Sequence, residues 1–197
     1  MVKRLEADWE FEVGGEAPII DALWPGFVDL RWSPKSAFDP VALILTLPET
    51  AQLPCLAKTL KQLNAVRSPV WTSKCDFWPA LQADEFDPDE LDAPAGSFAH
   101  AVGCYIDLLP RSNRQWPSAG AIASSCRYLC TRLHSFPVRS CRVDLIVRRA
   151  QILQGQLDMG LTAYFTASGP TPSAALLTLE AALTAFADAF CPQSTLQ

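Results

Sequence analysis

A two-residue alternation that recurs three times in the second half of the chain most constrains the fold. Over Ala101–Leu109, Val102, Cys104, Ile106 and Leu108 alternate with Tyr105 and Asp107. Over Ser140–Arg149, Cys141, Val143, Leu145 and Val147 alternate with Arg142, Asp144, Ile146 and Arg148. Over Gln156–Thr166, Leu157, Met159, Leu161, Ala163 and Phe165 alternate with Asp158, Gly160, Thr162, Tyr164 and Thr166. A period of two sends neighbouring side chains to opposite faces, so each stretch predicts a strand with one greasy and one polar side.

Helical signals fill the gaps. After a loop from Pro110 to Pro117, Ser118 caps a helix running to about His134, with Ile122, Cys126, Leu129 and Leu133 on one side. A turn around Gln154-Gly155 joins the second and third strands. Thr171-Pro172 then opens a last helix, whose buried side is traced by Leu176, Leu179, Leu183, Phe186 and Phe190. The order strand, helix, strand, strand, helix predicts an α+β fold, an antiparallel sheet with helices packed on one face. That order is ferredoxin-like, a description of architecture that carries no activity.

The first half has a fainter pattern. Phe27-Val28-Asp29-Leu30, within Gly26–Trp32, stands beside Tyr105-Ile106-Asp107-Leu108. A helix at about 51–64 follows, and Pro69 precedes Asp76 by seven residues, as Pro137 precedes Asp144. Two readings fit: a duplicated strand–helix–strand unit, or the chance similarity of strands that share composition. Trp9–Val13 is expected as an edge strand, Gly14–Pro25 as a loop containing Trp24, and Val41–Leu47 as a strand on its alternation. Six acids among the prolines and glycine of Gln82–Phe98 mark a solvated linker. It separates an N-terminal half, 1–81, from a C-terminal half, 99–197, unless the two form one continuous domain.

Composition narrows the class. With 49% hydrophobic and 19% charged residues the chain is too apolar for a disordered protein. No run of about 18 apolar residues predicts a membrane-spanning helix, and the N-terminus turns acidic where a signal peptide needs an apolar middle. The odd count of seven cysteines, without a CxxC pair, predicts reduced structural thiols and a cytoplasmic setting. Residues 1–110 carry a charge balance of −9, residues 111–149 one of +7 with eight arginines, and residues 150–197 one of −3. The arginine-rich stretch is read as facing the acidic one, within the chain or across a dimer; no nucleic-acid motif accompanies it.

Motifs with chemistry are scarce. Cys126, Cys130 and His134 recur at helical spacing, but the outer two stand roughly 12 Å apart, too far for one zinc ion. The run Asp87–Asp92 lacks the glycine and terminal glutamate of a calcium loop. No nucleophile elbow or phosphate loop is present, so neither metal nor cofactor is expected and no catalytic residue is assigned. Ser168–Ser173 is explained by helix capping. What remains is the polar side of the strands, where Tyr105, Asp107, Arg142, Asp144, Arg148 and Tyr164 share one aspect. Two functions fit it: a non-catalytic module that binds a protein partner or itself, or a receptor or enzyme for a small anionic ligand, with arginine clamps and a carboxylate. Nucleic acid and membrane are not expected as partners.

Overall fold

A computed structural model describes residues 4–22, 28–31, 39–81, 86–87, 89–91, 99–112, 115–152 and 156–191. Trp24, the turn at 154–155, the side chain of Leu157 and the rest of 82–98 lie outside them. The three alternating stretches are strands β4 (His100–Pro110), β5 (Cys141–Ile152) and β6 (Gln156–Gly169). Earlier strands are β1 (Glu6–Glu12), β2 (Ile20–Asp21) and β3 (Val70–Trp78). Five helices are described: α1 (Pro40–Ile44), α2 (Pro48–Gln52), α3 (Pro54–Leu63), α4 (Ala119–Leu133) and α5 (Pro172–Phe190).

Strand order is β1-β5-β6-β4-β3, with β2 also on β5. The β4–α4–β5 crossover leaves a gap that β6 fills, antiparallel to both. The sheet is nevertheless mixed, because β1 and β2 run parallel to β5. This corrects the purely antiparallel expectation. Hairpin partners are forced to be antiparallel, whereas β1 arrives from the far end of the chain and no short turn sets its direction. Strands from both sides of residues 82–98 therefore share one sheet.

The alternation sorts the faces as expected. Cys104, Ile106, Leu108, Val143, Leu145, Leu161, Ala163 and Phe165 are buried in one core with α3, α4 and α5. Ser118 caps α4 by accepting the Ala121 N–H, and Thr171 caps α5 by accepting that of Ala174. The core stripe of α4 is Ile122, Cys126, Leu129 and Leu133, all buried. Phe165 and Phe186 meet edge to face at 5.1 Å. All seven cysteines are free thiols. Burial pushes the Cys55 and Cys130 thiols up to about 11 and those of Cys75 and Cys126 to about 12, so the reactive thiolate is scarce at these positions.

The first half departs from its reading in three places. Residues 41–44 belong to α1: Asp39 accepts the Val41 N–H at 2.9 Å and Pro40 takes the first helical position, so the cap outweighs a short alternation. Residues 28–31 form no strand, and Arg31 turns back on Asp29 instead, with a 2.6 Å ion pair. The acidic stretch is not wholly solvated either: Leu91 is buried, and Glu90 stands 3.7 Å from Arg142. By length and composition alone α5, with a mean hydropathy of 1.3, passes as a helix that could cross a bilayer, although Thr178, Glu180, Thr184 and Asp188 interrupt its apolar residues. Here it packs on the sheet through Leu179, Leu183 and Phe186.

Candidate functional site

Register brings the polar residues of four strands into rows. Asp8 of β1, Asp144 of β5, Tyr164 of β6 and Tyr105 of β4 stand opposite one another in sequence across the sheet. The next row is Glu10, Ile146, Thr162 and Asp107, and beyond it Glu12 faces Arg148. All of these side chains lie on the face away from the helices. A groove of about 490 Å³ runs over this face, and Arg142, Asp144, Arg148 and Tyr164 line it together with Asp8, Glu10 and Glu12.

A hydrogen-bonded network joins the rows. Arg148 donates to Glu12 Oε2 through Nε at 2.8 Å and Nη2 at 2.6 Å, and through Nη1 to Tyr164 Oη at 3.1 Å and Thr162 Oγ1 at 3.4 Å. Its guanidinium also lies 5.5 Å from the Tyr164 ring centroid. Thr162 Oγ1 in turn donates to Asp107 Oδ1 at 2.6 Å. Asp107 is only 6% exposed, and this burial raises its carboxyl above the ordinary value against the pull of Thr162, Arg148 and Lys74. It lies beneath the groove rather than in its lining. Tyr105 stands aside too: its ring packs 5.7 Å from Tyr164 and 5.6 Å from Trp78, and burial beside Asp107 and Asp76 pushes its hydroxyl up to about 12.

Arg142 donates to Asp144 Oδ1 at 2.7 Å. Desolvation raises the Asp144 carboxyl, and the Arg142 hydrogen bond pulls the other way while Glu90 and Asp8 add to the rise. Both guanidinium groups of the groove thus already hold carboxylates. Glu10 makes no ion pair with a described residue.

One end of this face is closed. Ile20, on β2, packs with Trp71, Leu109 and Ala150 in a small apolar cluster. Gly160, opposite Arg148, allows it: a Cβ there would stand 2.8 Å from Ile20 Cδ1. From the first half of the chain, Trp78 joins the aromatic row and Asp76 pairs in register with Tyr105. Asp29 and Arg31 sit off the sheet, although Arg31 covers the Trp71 ring at 4.6 Å.

The sheet edges are blunted by the chain's own groups. On β1 the N–H of Ala7 donates to His134 Nε2 at 3.2 Å and that of Trp9 to Asp8 Oδ1 at 2.7 Å. On β3, Ser68, Asn64 and Asp76 accept from Val70, Thr72 and Phe77 respectively. Amides so occupied cannot pair with an incoming strand. His134, read as a helix-end residue, therefore also anchors the edge strand.

Sequence reasoning missed Asp8, Glu10 and Glu12. The signal was present in the strict alternation of Glu6-Ala7-Asp8-Trp9-Glu10-Phe11-Glu12, which places these acids on one face. Comparison with known proteins finds no family model, no curated protein and no solved structure that matches this chain.

Proposed function

We propose that this protein is a non-catalytic binding module that receives a basic segment of a partner on the polar groove beside β1. The observation that carries the reading is the state of the two arginines. Arg148 and Arg142 are held by Glu12 and Asp144, while Asp8 and Glu10 line the same groove and form no ion pair with a described residue. An anionic metabolite, the other candidate, would have to displace both carboxylates before gaining a guanidinium. Docking on the face rather than by strand addition follows from the capped amides of β1 and β3. A cytoplasmic setting belongs to the same proposal and is supported by seven thiols carried without a disulfide.

The test is fluorescence anisotropy with a labelled arginine–lysine hexapeptide and, in parallel, a labelled hexaglutamate. The basic probe should bind, weaken as salt rises, and lose at least about tenfold in affinity in Glu10→Lys. Preference for hexaglutamate, or equal binding by Glu10→Lys, would overturn the reading.

A further inference from the structure

A second, chemically different pocket of about 380 Å³ opens between α1, the end of α3 and the 64–67 turn. Leu30, Pro40, Val41, Ile44 and Val66 wall it, and Lys61 and Arg67 also line it. Asn64 borders the pocket but has its amide engaged elsewhere. Its Nδ2 donates to the Leu60 carbonyl at 2.9 Å and to Thr72 Oγ1 at 2.8 Å, and its Oδ1 accepts the Thr72 N–H at 3.1 Å. The walls therefore offer hydrocarbon contact and little else, so an occupant is held by burial of its own apolar length.

Charge selects the head of that occupant. Lys61 and Arg67 are exposed, and neither makes an ion pair with a described residue. Arg111 fixes the turn from behind, donating to the carbonyls of Asn64 at 2.9 Å, Ala65 at 3.0 Å and Ser68 at 3.0 Å. Arg31 is near enough for its charge to oppose that of Arg111, and the acid beside it, Asp29, is already its partner. Four cations thus stand beside two acids, Asp29 held by Arg31 and Asp39 engaged in capping α1, in a chain of net charge −5.

We propose that this pocket binds a medium-chain aliphatic carboxylate, its hydrocarbon chain between α1 and the turn and its carboxylate at Lys61 and Arg67. If a methylene takes about the ~30 Å³ that a water occupies in the liquid, the volume suits a chain on the order of a dozen carbons. This site is independent of the polar groove, and either proposal can fail alone.

The test is calorimetric titration of the whole protein with hexanoate, octanoate, decanoate and dodecanoate below their micellar concentrations, with decyltrimethylammonium as the charge control. Affinity should rise about fourfold per methylene, and decanoate should bind more tightly than the cationic chain. The double variant Lys61→Glu/Arg67→Glu should abolish that preference. Val66→Trp should block decanoate by filling the mouth from a position that is 44% exposed, where the fold tolerates it. Val41→Trp, also outside the fully buried core, repeats the test from the opposite wall. Affinity independent of chain length, equal uptake of the cationic chain, or unchanged binding in both tryptophan variants that fold would overturn the proposal.

Discussion

The two faces of the sheet use the same strands and are held by different forces. Facing the helices, Val143, Leu145, Phe165 and Ala163 have no accessible surface to speak of, and any one contact is replaceable by another of similar volume. Facing away, each group has a particular partner: Glu12 with Arg148, Arg148 with Tyr164, Thr162 with Asp107. Loss on the first face scales with area and cavity. On the second it depends on which donor or acceptor is stranded. The first face holds the fold, and the second fixes where side chains stand.

The largest effect should come from the helix side. Phe165→Ala removes a ring seated against Phe186 and should cost about 3–5 kcal/mol in urea unfolding, near the whole stability of a marginal domain. On the polar side Arg148→Ala strands Glu12, Tyr164 and Thr162 together. With a side chain 13% exposed, it should cost about 1.5–3 kcal/mol. Glu12 is 42% exposed, so Glu12→Ala should cost less, and the double variant should fall short of the sum. Additive losses would mean that Arg148 and Glu12 act separately, and would break the contrast between the faces.

The legible part of the fold was the part built on long, uninterrupted periods. β4, α4, β5, β6 and α5 each present four or more apolar positions in register with a cap or turn, and each formed. The face they leave uncovered could be read from parity alone, which is why Arg142, Asp144, Arg148 and Tyr164 do share one groove. Short elements were not legible in the same way. At 41–44 a period of two competed with Asp39-Pro40, and local capping decided the outcome. Depth was also invisible: alternation placed Asp107 on the polar face but could not tell that Thr162 and its neighbours seal it. Nor could it assign β1 to β5, since parallel pairing between distant segments leaves no turn signature.

That seal has a pH signature. Burial lifts the Asp107 carboxyl above its ordinary 3.8, so the folded chain keeps this proton to a higher pH than the unfolded chain does. Folding then takes up a proton between the two values, and stability falls as pH rises through that window. Above the window the cost is fully present; below 3.8 it vanishes because both states are protonated. Asp107→Asn keeps an acceptor for Thr162 without the charge. Relative to the parent it should be more stable at pH 7 than at pH 3, measured as urea midpoints. A difference that is the same at both pH values would show that the carboxyl ionises freely and is not sealed.

The smallest effect should separate the groove from its support. Arg142 is 27% exposed and its partners Asp144 and Glu90 are 32% and 58% exposed, so solvent screens the pair. Arg142→Ala should therefore cost only about 0.2–1 kcal/mol. It also leaves Asp144 without its cation in a groove already lined by Asp8 and Glu10, which makes the groove more negative. The same substitution should thus tighten binding of the arginine–lysine hexapeptide while barely moving the unfolding midpoint. A weakened hexapeptide complex would mean that Arg142 contacts the ligand through its own donors, and that the polar face recognises more than opposite charge.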